Sequence, residues 1–405
     1  MPTTAAAVLP LQDQSDYRLL CQALITAPGA AQDAGWHRLD APGWQRLAAL
    51  AENQGVAPLL YRRLPPEAPD AVRSGLQRSY YTSAANNALL LQELKHMLKA
   101  FQQAGVPVVV LKGIDLAVEL YPDAALRVMS DIDVLVPYPY VRMAVRSLSR
   151  LGYQKMNENL AHHHVLLHGG PQQKVAVELH WSLVEAFHPA SAGDHPSQDW
   201  FWQHTRPWPS ADANPAAAGL EGLGALALQA EARLLYLTAH LLLQHVGAGE
   251  RLLWYYDLHL LLERQPAPGE MDWTALLRQA VELGWDEPLE QALQVLELRF
   301  AAPLPAGYSA ARAALPVSEG RRSRPTPQDP GSTRSRTRAV WQGLQAQPLP
   351  QRLRLIWDMF FPEPAYLHWR YRPSPAWLWP LYYIYRWFDI LRDSILTLVK
   401  PETQR

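Results

Sequence analysis

The chain has 405 residues, nearly half of them hydrophobic, which is enough for two or three domains with sizeable cores. Its formal net charge is −1, so no global positive field draws in nucleic acid or an acidic membrane, and such a partner would need a local patch. Cys21 is the only cysteine, which excludes an intrachain disulfide and a zinc site built from several cysteines, and fits a reducing cytoplasm.

The N-terminal stretch lacks a basic start followed by an apolar run, so no signal peptide is expected. Residues 16–104 carry helical spacing: Leu19, Leu20, Ala23 and Leu24, then Trp44, Leu47, Leu50 and Ala51. Gly55 ends one helix, and a longer one is predicted over residues 83–105 with Gly105 as its C-cap. At Val106 the pattern changes. VPVVVLK, bounded by Gly105 and Gly113, reads as a buried strand. IDLAVELY is a helix stopped by Pro122, DIDVLVP a second strand, and YVRMAVRSLSRLG an amphipathic helix. HHVLLH and KVAVELHW flank Gly169-Gly170-Pro171 and read as an antiparallel hairpin.

Residues 189–225 look irregular, and from Glu231 four helical segments follow to Phe300. A Pro/Ser/Arg-rich stretch with six arginines has too few apolar residues to offset its ordering entropy and is expected to be a disordered linker. The late apolar stretch 377–399 holds Pro380, Arg386, Asp389, Arg392 and Asp393, which makes a poor transmembrane helix but leaves peripheral membrane contact by the C-terminal helices open. The expected fold is α+β, a small mixed β-sheet core flanked by N- and C-terminal helical regions. The expected boundaries are a helical region 1–104, an α/β core 105–190, a helical domain 191–315 packing on the core, a linker 316–338, and an aromatic-rich helical region 339–405.

Chemistry concentrates between residues 111 and 181. Residues two apart in a strand share a face, so Asp131 and Asp133 project side by side while Ile132 and Val134 turn into packing. Two such carboxylates repel unless a cation, a shared proton or a basic group lies between them, and a hard divalent cation is a natural occupant. A lone D-x-D is a weak signal. Here it opens a strand, Gly113 starts a helix whose N–H groups can cradle phosphate, and Glu178 stands on a later strand on the same face as His180. Three carboxylates facing a glycine turn fit two-metal phosphoryl transfer. Lys112 offers a point charge for phosphate, and Ser130 adjoins the pair. Arg127 either clamps phosphate or pairs with Asp123 or with the aspartate pair.

Other polar groups read more blandly. His162, His163, His164 and His168 suggest a solvated hairpin edge, because three adjacent rings cannot all point at one metal from a strand. His180 is either a supporting site residue or a hydrogen-bonded core histidine, and His240 and His245 fit a leucine-rich core. Arg251 and Asp257 either sit at the edge of a cleft or have a purely structural role.

Gly113, then Asp131-Ile132-Asp133, then a later acidic strand residue resembles the nucleotidyltransferases of the DNA polymerase beta superfamily. More narrowly, LKG…LYPD…R-x-MSDIDVLV…VELHW resembles a bacterial family of uncharacterised nucleotidyltransferases, over roughly residues 40–265 and more loosely the C-terminal helices. The resemblance implies that Asp131 and Asp133 hold metals, one bound to a triphosphate and one activating an acceptor. It implies that Glu178 is the third ligand or a base, and that Gly113 lets the backbone approach phosphate. The implied cofactor is Mg²⁺ or Mn²⁺. The implied partners are a nucleoside triphosphate and an unidentified acceptor (small molecule, protein or RNA), in the cytoplasm. The chain departs at Ile114, where the superfamily places Gly or Ser. Two further readings follow: a non-catalytic binding or scaffold relative, and a toxin-type enzyme acting on tRNA or protein, which would need a basic groove. The helices from Glu231 to Arg264 are expected to face Asp131 across a cleft.

Overall fold

The computed structural model describes residues 14–26, 35–156, 164–171, 175–183, 196–244, 251–264, 271–314, 344, 349–361, 367, 371 and 375–399. The expected linker, His162, His163 and His245 lie outside them. The chain opens with helices α1 (Gln14–Ile25), α2 (Ala41–Asn53), α3 (Ala57–Tyr61) and α4 (Asp70–Ala104). Asp40 caps α2 by accepting from the Gly43 N–H at 2.8 Å, which satisfies one of the orphan donors at the helix start. Helix α4 starts ahead of the expected residue 83, because Val72 and Leu76 already carry its buried stripe. It stops at Gly105, whose φ of +66° is left-handed backbone that a side chain would strain.

The sheet follows: β1 (Val108–Val110), α5 (Lys112–Glu119), β2 (Asp131–Leu135), α6 (Val141–Arg150), β3 (Gln154–Lys155), β4 (His164–Gly169) and β5 (Val175–His180). It does not stop at residue 190. The stretch read as irregular supplies α7 (Pro196–Gln203), β6 (Thr205–Pro207) and β7 (Ala225–Leu228), and the seven strands run in the order β3-β4-β5-β2-β1-β7-β6. These late strands are short, and their Ala, Arg and Pro content hides them from a search for β-branched runs. β1 pairs antiparallel with β2 but parallel with β7, and β2 pairs parallel with β5, so the sheet is mixed.

Strand alternation divides the apolar residues between two layers. Val108, Val110, Ile132, Val134, Val177 and Leu179 pack with Leu94, Leu98 and Phe101 of α4 and with Leu148 of α6. Val109, Leu111, Leu135 and Leu228 join the other core, which also takes in Leu20, Leu47 and Leu60 from the first helices. That core includes residues of α8 (Ala230–Ala239), α9 (Leu252–Glu263), α10 (Trp273–Leu283), α11 (Asp286–Phe300) and α12 (Ala306–Ala314). Further on, Leu349–Phe360 and Tyr382–Val399 are helices, joined where Trp387 Nε1 donates to the Phe360 carbonyl at 2.9 Å. No described helix is long and apolar enough to cross a membrane.

A buried ion pair ties the helical layer to the sheet unit: Arg233 Nη2 of α8 donates to Asp115 Oδ1 of α5 at 2.9 Å. Burial pushes the Asp115 carboxyl up to about 6 from its ordinary 3.8, against the pull of Arg233. Between those pH values the folded state holds the proton that the unfolded state has released. The stability this provides is full below about 3.8 and lost as pH rises through about 6. Urea unfolding across this window should show the parent protein losing stability relative to Asp115→Asn.

Candidate active site

The register of the sheet assembles the site. Asp133 of β2 lies opposite Glu178 of β5, and Leu135 lies opposite His180, so Asp131, Asp133, Glu178 and His180 share one face. The Leu111 N–H donates to the Asp133 carbonyl at 3.0 Å, and the chain leaves β1 beside that aspartate. Lys112 follows with φ +42°, left-handed backbone that is uncommon for a residue with a Cβ. Its Nζ donates to Asp133 Oδ1 at 2.9 Å and lies 3.8 Å from Glu178 Oε2. His180 Nε2 lies 2.9 Å from Asp133 Oδ1, the ring N–H donating, and 3.4 Å from Glu178 Oε2. Asp131 Oδ1 accepts from the exposed Ser130 hydroxyl at 3.2 Å.

The three carboxyls are in unequal states. Burial alone would raise Asp133, but Lys112 and His180 outweigh it and hold this carboxyl well below the usual range. At Glu178 burial and Asp133 push upward, yet His180 and Lys112 prevail and the group is held below its ordinary value. Asp131 has weaker compensation. Burial, then Asp133 and Glu178, push it up to about 6. Burial would lower the Lys112 ammonium, but Asp133, Tyr236 and Glu178 hold it above its ordinary value.

Arg127, read as either a phosphate clamp or an ion-pair partner, forms an ion pair. Its Nε and Nη2 donate to Asp257 Oδ1 and Oδ2 at 2.9 and 2.8 Å, a buried two-pronged pair with α9. The partner is therefore neither Asp123 nor the aspartate pair. Asp123 instead accepts from the Ala125 N–H and from the Tyr80 hydroxyl. Tyr121 adds a third bond by donating to Asp257 Oδ1 at 2.7 Å, and Asn87 Nδ2 donates to the Arg127 carbonyl at 2.8 Å. A Cβ on Gly113 would come 3.3 Å from Arg127 Nη1 and 3.3 Å from Met129 Sδ, so the glycine lets these side chains close on the turn. Ile114 lies in the core on the far face of the sheet.

Helices α8 and α9 reach this turn, Tyr236 beside Lys112 and Asp257 on Arg127. Sequence reasoning missed Tyr236, whose hydroxyl sits within an otherwise apolar helical run. It also set His164 aside as solvated edge. The structure places His164 opposite His180, with ring centroids 5.1 Å apart. The inward Val165 and Leu167 carried the signal, because alternation then puts His164 on the face of Glu178. His168 is an exposed strand residue.

Removing one member of a buried ion pair leaves the other charge uncompensated, at a cost of about 3–5 kcal/mol. Asp257→Ala should therefore destabilise the fold by that order in urea unfolding. The double variant Arg127→Met/Asp257→Leu should recover part of the loss, because no buried charge remains.

The chain matches no curated protein and no solved structure. A family model described as uncharacterised nucleotidyltransferase matches residues 40–301, a span that contains all seven strands and the helices from α2 to α11. That is well over half of the 405 residues, and the chain belongs to this family of uncharacterised nucleotidyltransferases.

Proposed function

We propose that the protein transfers a nucleoside monophosphate from a nucleoside triphosphate to an acceptor, with Asp131, Asp133 and Glu178 as its catalytic carboxylates. The observation that carries this reading is the convergence of the three on one face of paired strands, beside the Lys112–Gly113 turn, in a chain of a nucleotidyltransferase family. Their charges fit a divalent cation. Three carboxylates face one ammonium, Lys112, while the charge of Arg127 is already matched by Asp257. Mg²⁺ or Mn²⁺ bound there would draw carboxylate and triphosphate oxygens together and make an acceptor hydroxyl easier to deprotonate.

The remaining roles belong to the chain's own groups. His180 and Lys112 fix the Asp133 carboxylate, which leaves Asp131 as the less compensated oxygen donor. Glu178, more open than Asp133, is placed to ligate or to accept the acceptor's proton. Lys112 can turn its charge to phosphate when a nucleotide arrives, and Gly113 and Ser130 complete that side of the site. Arg127 acts by positioning, through its packing against Gly113. Helices α8 and α9 form a wall of the site, Tyr236 beside Lys112 and Asp257 on Arg127, so this part of the helical region works with the sheet. The C-terminal helices, with Trp357, Trp377 and Phe388 exposed, are the surface for peripheral membrane contact.

One observation favours a second reading, a non-catalytic binding protein. Lys112 already supplies a positive charge to Asp133 and Glu178, so the face is partly balanced without a metal. A labelled-nucleotide transfer assay with Mg²⁺ or Mn²⁺, run over the four triphosphates and cell-extract fractions, separates the two. Transfer should occur and should fall by at least about 100-fold in Asp131→Asn and Glu178→Gln, because an amide oxygen is a poor ligand for a hard cation. Melting should rise with Mn²⁺, or with Mg²⁺ plus nucleotide, by the equivalent of about 2.7 kcal/mol at a hundred times the dissociation constant. Asp133→Asn should abolish that rise. A parent protein whose melting ignores millimolar metal would sink the metal site.

A further inference from the structure

We infer that His164, Glu178 and His180 form a binding site for a divalent first-row transition-metal ion, distinct from the Asp131–Asp133 pair. One ligand atom from each of the three lies within 4.8 Å of the others. Two neighbouring strands fix this arrangement. His164 of β4 and His180 of β5 are direct cross-strand partners, and Glu178 precedes His180 by two on the same face. The rings are tilted by 49°, so they approach at an angle and do not stack face to face. His180 is buried beside Asp133, so its ring position is set before any ion arrives, and ligation through Nε2 requires that nitrogen to give up the N–H it donates to Asp133 Oδ1. His164 and Glu178 are half-buried, which leaves the site open to solvent.

The donor set decides the class of ion. Two imidazoles with one carboxylate suit Zn²⁺ and its neighbours, whereas Mg²⁺ prefers oxygen alone. Three protein ligands leave a fourth position of a tetrahedral ion for water or an acceptor hydroxyl. Tetrahedral ligation at about 2.1 Å needs donors about 3.4 Å apart. His180 Nε2 and Glu178 Oε2 already stand at that separation, 3.4 Å, so closure falls mainly to the half-buried His164. The site shares Glu178 with the carboxylate site proposed above and does not depend on that proposal.

Full-length protein stripped of metal and then dialysed against Zn²⁺ should retain one equivalent that Mg²⁺ does not displace. With Co²⁺ it should develop the visible bands of a four-coordinate ion. His164→Ala and His164→Gln should lose the Co²⁺ bands and weaken Zn²⁺ binding at least about tenfold, with parental far-UV circular dichroism. Asp131→Asn should keep both signals. Because that variant is silent here yet lowers transfer at least about 100-fold under the preceding reading, the two proposals can fail separately. The inference is overturned by a parent protein that retains no Zn²⁺. It is also overturned by a His164 variant that binds like the parent, or by loss of the ion in Asp131→Asn.

Discussion

A carboxylate that is 5% exposed in the middle of a short strand must be compensated, and the structure around Asp133 follows from that requirement. Its two cationic or donor partners come from opposite sides. Lys112 arrives from the end of β1, and His180 from β5. Each contact depends on a register: Val110 against Val134 on one side, and Glu178 against Asp133 on the other. A slip of one residue in either pairing would turn the partner to the far face and strand the charge. The left-handed backbone at Lys112 fits the same logic. A sparsely populated conformation persists where the surroundings over-determine it, and here the Lys112–Asp133 ion pair does so.

The helical layer is attached to the sheet by polar bolts as well as by its core. Arg233 with Asp115, and Arg127 with Asp257 and Tyr121, are buried pairs that join α8 and α9 to the segment between β1 and β2. Apolar packing alone tolerates sliding. A two-pronged guanidinium–carboxylate contact fixes direction and register, and its burial makes misalignment expensive. The turn at Lys112 and Gly113 is thus held from beneath by β2 and from above by two helices. That gives a rigid base for charge-sensitive chemistry.

Much of this was legible in the amino-acid sequence. The strand at 106–112 declares itself by a branched apolar run between glycines, and the strands at 131–137 and 174–181, with the acidic pair and Glu178, by alternation; the model of the family spans them. Partners of buried charges were not legible. Arg127 meets Asp257 across 130 residues, and no local spacing distinguishes that partner from the nearby Asp123. Likewise β6 and β7 are too short and too poor in branched residues to stand out; β7 becomes a strand on the edge that β1 offers, and β6 pairs in turn with β7. His164 was readable in principle. The alternation of Val165 and Leu167 fixes its face, but the adjacent histidines made the whole run look like surface.

The parallel pairing of β1 with β7 also has a consequence in time. β1 emerges at residues 108–110, yet the strand that covers its second edge is 225–228, more than 100 residues later. As the ribosome extends the chain, Val108, Val109 and Val110 present unpaired backbone in an apolar setting until that stretch has been made. The most hydrophobic part of the sheet is therefore the last to be closed, and the nascent chain passes through a stage in which this edge is its most adhesive surface.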